Sequence, residues 1–432
     1  MLLGARSAAA DGGHLAAAST WLALATLLAA AKLGGEIATR VGQPAVLGEL
    51  SAGILLGNLD AVGVPFLAPI AQSSEVHFAA ELGVILLLFQ VGLESSLAEM
   101  RRVVGTAGLV AMVGVFLPMA LGVGASRLFL PAEAWSVHLF VGATLAATSV
   151  GITARVLKDL GAEKRSEARI ILGAAVLDDV LGLVVLAVVA AIGVRGQMPP
   201  VGEVASIFGL ASAFLVGAIA VGYFAVRGIY RSTAKFRTAG VLGVLSVALA
   251  LLFSGIAAAA GLAPIVGAFA AGLLLDEVSI RPHGSDGLQR LEAYVSPLVG
   301  LLAPIFFVRT GMSVHIAGIS GRGLLLAVVL FAVAVAGKIA AGFVVGRRPS
   351  PDAEAPPDRL LIGLGMVPRG EVGLIFASTG AAIVTPKGPL LADDLTIALV
   401  LAVMATTVVV PPLLAARLRV LEGRTGSRDR LP

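Results

Sequence analysis

Two adjacent carboxylates, Asp178 and Asp179, stand in the middle of an apolar stretch that runs from residue 170 to 192. An ionised carboxylate at the centre of a bilayer-length helix costs roughly 2.5–3.5 kcal/mol on insertion scales. That cost favours a site that handles ions or protons over a pair buried by packing alone. Lys338 lies in a second apolar stretch at a matching depth. Counted at about 1.5 Å per residue from span centres near Leu181 and Ala334, the aspartates fall roughly 3–5 Å, and Lys338 about 6 Å, to the same side of the midplane. A carboxylate partner keeps a buried ammonium charged. Adjacent helix positions diverge by about 100°, so one aspartate can face Lys338 while the other faces a cavity. The competing reading is that Lys338 snorkels to the headgroups.

Other polar groups share this depth. Thr148 and Ser149 sit mid-span, where a break in the helix would present hydroxyls and freed carbonyls, the ligands of a hard monovalent cation. Arg369 and Glu371 read as a charge-compensating pair, a structural brace or a gate. Glu49 and Gln90 read as structural. The chain has no cysteine, which excludes disulfides, thiol catalysis and thiolate metal sites. No pair among its five histidines has metal-ligand spacing.

The elements that carry these residues must be membrane helices. Of 432 residues, 58% are hydrophobic and 13% charged, against about 25% charged in soluble domains. Strand alternation of the outer-membrane barrel kind is absent. Thirteen apolar spans are predicted, near 15–36, 44–58, 77–94, 103–128, 137–156, 168–194, 203–228, 239–260, 262–276, 294–311, 321–346, 360–384 and 394–416. The second and ninth are short, and the connections at 57–64 and 261–264 suit tight turns. With the N-terminus outside, 22 of the 31 Lys and Arg fall on the cytoplasmic side and six outside. This bias predicts N-out, C-in, and it accounts for the basic pI without invoking nucleic acid. Arg6 and Ala29-Ala30-Ala31 imitate a signal peptide, but the lead is long for an n-region, so the first span is read as retained.

Spans five and twelve are both interrupted, at Thr148-Ser149-Val150-Gly151 and at Pro368-Arg369-Gly370-Glu371. They stand seven places apart in the order of spans, an odd offset, so they enter the membrane from opposite sides. Broken helices in corresponding positions of inverted halves point to a transporter's substrate site. The motifs GQPAVLGELSAGILLG (42–57), LLLFQVGLE (86–94), ATSVGITARVLKDLG (147–161), ILGAAVLDDVLGL (171–183), GAFAAGLLL (267–275), PIFFVRTGM (304–312) and GLGMVPRGEVGLIFAS (363–378) occur in order along nearly the whole chain. In these the chain resembles the monovalent cation:proton antiporter-2 family.

That resemblance implies an all-α polytopic membrane protein of about thirteen transmembrane helices, with inverted five-helix repeats and two crossed discontinuous helices. It implies ion-translocating core helices over approximately 77–194 and 294–416, dimerisation or scaffold helices over 15–58 and 203–276, and a homodimer in a bacterial cytoplasmic membrane. Carried over by residue, Asp179 looks like the carboxylate that alternates between proton and cation. Asp178 looks like the partner of Lys338, and Thr148 lies in the unwound segment beside the ion. Asp179, Asp178 and Thr148 would be the Na⁺ ligands. The Asp-Asp pair argues for the electrogenic sodium/proton subgroup; potassium-efflux relatives usually have Gln-Asp and a cytosolic nucleotide-binding domain, which is not expected here.

The resulting expectation is a carrier, not an enzyme, without cofactors. It exchanges Na⁺ or Li⁺ for protons by competition at one buried carboxylate, with elevator-type alternating access. A K⁺/H⁺ exchanger with the same site, a gated channel and a non-transporting sensor remain alternatives.

Overall fold

The computed structural model describes residues 2–59, 73–94, 97–195, 198–210, 240–260, 262–283, 286–312, 319–346, 356–385 and 388–428, with 212–214, 217 and 220 besides. Among the described residues the chain is all-α apart from one short hairpin. Its elements are α1 (Leu2–Arg40), α2 (Ala45–Gly57), α3 (Ser74–Leu93), α4 (Leu97–Phe129), α5 (Trp135–Ala146), α6 (Val150–Asp159) and α7 (Ser166–Arg195). After the apolar helix Val201–Phe214 come α8 (Val241–Ala259), α9 (Pro264–His283), α10 (Asp286–Met312), α11 (Gly321–Gly342), α12 (Arg359–Gly365), α13 (Glu371–Ala382) and α14 (Asp393–Arg428). Strands β1 (Val384–Thr385) and β2 (Gly388–Pro389) pair antiparallel between α13 and α14.

Among the described residues, nine helices are long and apolar enough to cross a membrane, and four more apolar helices are shorter. Helices are what such a chain can form, because lipid offers no partner for a free N–H or C=O. Twelve of the thirteen sequence spans overlie a helix or a broken pair of helices. Half of the seventh, 203–228, lies outside the described residues and its start overlies the helix Val201–Phe214; much of the 57–64 connection and Gly261 also lie outside them. Some boundaries move. Helix α1 is helical from Leu2 rather than from residue 15, α9 and α10 extend past the apolar limits of their spans, and the twelfth span ends in the β1–β2 hairpin.

Residues 1–84 and 297–317 form one compact unit, and residues 85–296 and 318–432 a second. In the smaller unit, α1 packs on α2 through Gly34 and Gly48: a Cβ on either would collide with the other's backbone. Helix α2 meets the latter half of α10 in the same way, through Gly53 and Gly311. Small residues at such crossings allow the backbone approach that replaces hydrophobic drive in lipid.

In the larger unit, α4 packs against α5, α7 and α11, and α11 against α12 and α14. Its apolar core joins Val115, Phe140, Leu145, Val189, Leu330, Phe376 and Leu399 from six helices. The two discontinuous elements, α5–α6 and α12–α13, both lie in this unit.

Candidate functional site

Helix α5 stops at Ala146, and α6 starts at Val150. The link between them is extended, with Ala147 at φ −60°, ψ 147° and Ser149 at φ −92°, ψ 105°. Helix α12 stops at Gly365, and α13 starts at Glu371. Pro368 explains that break: it has no N–H to donate, and it disfavours the helical conformation at Val367.

The two breaks cross and satisfy one another. The Ser149 N–H donates to Pro368 O at 2.8 Å. The Thr148 hydroxyl donates to Met366 O at 3.2 Å, and the Thr153 hydroxyl to Gly365 O at 2.7 Å. Gly370 sits close against the opposite break: a Cβ there would lie 2.8 Å from Ser149 Oγ and 3.0 Å from Ile152 Cδ1, so those side chains would have to shift to admit one.

Arg369 is completely buried, and its guanidinium is held by carbonyls. Nε and Nη2 donate to Leu145 O at 3.0 and 2.6 Å, Nη1 to Val367 O at 2.9 Å, and Nη2 also to Ala334 O at 3.4 Å. Leu145 O is among the last carbonyls of α5, which have no helical partner and carry partial negative charge. The cation therefore caps the broken helix. Glu371 opens α13, but its side chain lies outside the described residues.

Lys338 and Asp178 meet beside this crossing. Lys338 Nζ donates to Asp178 Oδ1 at 3.3 Å and Oδ2 at 3.5 Å, and to Thr148 Oγ1 at 2.6 Å. Lys338 is 0% exposed, Asp178 2% and Asp179 8%, so the second aspartate is the more accessible of the pair. The lysine reaches its place through two glycines. Gly337 lets α11 close on α4, since a Cβ there would sit 2.9 Å from Pro118 Cα, and Gly114 on α4 lies across from the lysine's amino end. Thr148 is thus engaged on both sides, accepting from Lys338 and donating to Met366 O. The buried Ser149 hydroxyl has no hydrogen-bond partner among the described residues.

Asp178, Asp179, Thr148, Ser149, Lys338 and Arg369 all lie in the larger unit. Glu49, on α2 in the smaller unit, and Gln90, on α3, are also buried, at 1% and 4% exposure. Three further residues at the crossing escaped sequence reasoning: Thr153, Thr406 and Thr407. Thr406 accepts from the Arg369 N–H at 3.2 Å, and Thr407 donates to Arg369 O. A Thr-Thr pair in an apolar helix was the available signal, but it is ambiguous, because threonine commonly bonds back to its own helix.

Residues 23–416 match the family described as sodium/hydrogen exchanger, transmembrane. The chain belongs to that family. The exchanger is 36% identical to the high-affinity Na(+)/H(+) antiporter NhaS3 of Synechocystis, across 93% of this chain and 90% of that protein. It is 32% identical to the Na(+)/H(+)-K(+) antiporter GerN of Bacillus cereus, across 90% and 94%. Its fold matches the sodium proton antiporter MjNhaP1 of Methanocaldococcus jannaschii with a TM-score of 0.62 at 18% identity, covering 92% of this chain and 97% of the other. At that identity the likeness is one of fold.

Proposed function

We propose that this exchanger moves Na⁺, or Li⁺, against protons by competition at Asp179. The observation that carries the reading is the Lys338–Asp178 pair at 3.3 Å, buried where two broken helices cross, with a second aspartate next to it. The lysine engages Asp178, and Asp179 beside it is the carboxylate assigned here to exchange proton and cation. Burial disfavours an ionised carboxylate, so Asp179 binds either a proton or a cation to remain neutralised. Asp179 and the Ser149 hydroxyl are the groups that would meet the cation here. Thr148 and Asp178 join once Lys338 lets go.

Coupling follows if the barrier to crossing falls only when the site is filled. Should Lys338 lose its proton as Asp178 takes a cation, two protons would exchange for one Na⁺, and transport would be electrogenic. The moving part would be a core of helices 77–194 and 294–416 against a scaffold of 15–58 and 203–276, in elevator fashion within a homodimer. This functional division cuts across the compact units, since α8 and α9 belong to the larger one. The basic residues support a bacterial cytoplasmic membrane with the N-terminus outside.

A second reading, K⁺ in place of Na⁺ at the same site, is favoured by the name of GerN, a Na(+)/H(+)-K(+) antiporter. Proton flux in proteoliposomes, with Na⁺, Li⁺ or K⁺ added and the membrane potential clamped or free, separates these. The proposal expects Na⁺ and Li⁺ to drive proton movement against its gradient, and the rate to change when the potential is released. Flux driven by K⁺ alone would establish the second reading. Proton movement that only dissipates gradients would mark a channel.

A further inference from the structure

Helix α14 packs against α11, α12 and α13, and it contributes two adjacent buried threonines, both 0% exposed. Both act on one residue of the neighbouring break. Thr406 Oγ1 accepts the Arg369 N–H at 3.2 Å while donating to Val403 O at 2.6 Å. Thr407 Oγ1 donates to the Arg369 carbonyl. The break frees this N–H and this C=O from any helical ladder, and a buried backbone group left unpaired costs about 1–3 kcal/mol. Threonine is suited to the task, since a hydroxyl both donates and accepts.

The segment thus fixed governs the opposite break at both ends. The Arg369 guanidinium grips Leu145 O, just before the extended link. Pro368 O accepts the Ser149 N–H, and Gly370 lies against Ser149 Oγ. Between those anchors sits Thr148, the residue that accepts from Lys338. A chain of bonds therefore runs from Thr406 and Thr407 through residues 368–370 and 147–149 to Lys338 and Asp178. Pro411 and Pro412 follow within α14. Pro411 has no N–H to give, so the Thr407 carbonyl lacks its i+4 donor.

We infer that Thr406 and Thr407 are positioning residues for cation exchange, setting the placement of Ser149 and Thr148 at the ion site from a helix that carries no ionisable group there. The inference rests on the exchange reading above. Thr407→Val keeps the shape and removes the hydroxyl, Thr407→Ser keeps the hydroxyl, and Thr406→Val tests the partner. Each is measured for the half-maximal cation concentration, the maximal rate and the pH profile of proteoliposome exchange, alongside thermal stability in detergent. The valine variants should raise the half-maximal Na⁺ concentration about five- to tenfold and displace the pH profile, the size of losing one buried hydrogen bond. Thr407→Ser should return both close to wild type. If Thr407→Val does not fold, the contrast between Thr406→Val and Thr407→Ser carries the same test. Unchanged cation dependence in folded valine variants, or a serine variant as impaired as valine, overturns the inference. A wild type without coupled exchange overturns the reading beneath it instead.

Discussion

At the scale of single residues, the decisive arrangement is one lysine shared between a carboxylate and a hydroxyl. Lys338 Nζ lies 3.3 Å from Asp178 and 2.6 Å from Thr148 Oγ1, with neither charged partner more than 2% exposed. Desolvating two charges is repaid only when each stays paired, and removing one partner strands the other at a cost of roughly 3–5 kcal/mol. Lys338→Ala should therefore lower the thermal stability of the purified protein markedly. Asp178→Asn combined with Lys338→Ala should recover part of that loss, because no buried charge is then left alone. Strictly additive losses across the double-mutant cycle would mean that the two do not interact. Flux in the double mutant adds a second readout, since restored stability without restored electrogenicity would assign the lysine to charge movement.

At the scale of elements, the starts of α7 and α12 are tied to α14 away from the crossing. Asp358 caps α12 by accepting the Leu361 N–H at 2.7 Å and takes the Arg417 guanidinium of α14, with Arg417 Nε 3.1 Å from Oδ1. Its own N–H donates to Glu167, in the first turn of α7, at 3.0 Å. Burial alone would raise the Asp358 carboxyl, but the Arg417 and Leu361 hydrogen bonds outweigh it and hold the group below its ordinary value. A carboxylate depressed on folding adds stability that is present above its unfolded value and is lost as the pH falls through the folded one. Arg417→Ala should thus cost about 1 kcal/mol at neutral pH. The difference from wild type should persist to about pH 5 and close only below the ordinary carboxylate range. Melting curves across that interval check it; a gap that closes between pH 7 and 6 would assign the effect to another group.

The same elements show what the sequence could and could not disclose. Pro368 announced the α12–α13 break because proline acts on the backbone locally. Asp178, Asp179 and Lys338 stood out because charge in an apolar span is costly wherever it falls. Thr406 and Thr407 carried no such signal: a threonine in an apolar helix gains a bond from its own preceding turn whether or not another chain segment is near. Arg369 was legible as a buried charge, but not as a ligand of carbonyls, since Leu145 O is brought to it by the crossing alone. The extent of α1 was hidden for a different reason. Residues 2–14 lack an apolar stripe, and their composition of Ala and Gly with scattered polar groups does not distinguish helix from a polar lead.

At the scale of the whole molecule, the account reduces to competition between a proton and a cation for one buried carboxylate. If both ligands use Asp179, the apparent affinity for sodium must fall as protons become abundant. For one linked proton the limit is about tenfold per pH unit, and the dependence flattens above the site's own pKa, where no proton remains to be displaced. Asp179→Asn keeps the volume but can neither titrate nor neutralise a cation, so it should fold, insert and give no exchange. The most direct measurement is the sodium concentration for half-maximal exchange in proteoliposomes, taken from about pH 6 to 9 on wild type, with Asp179→Asn as the control. The competition account predicts a value that falls with rising pH and then levels off in wild type, and no sodium-dependent proton flux in Asp179→Asn. A pH-independent value in wild type, or undiminished exchange in the asparagine variant, would contradict it and separate the path of the proton from that of the cation.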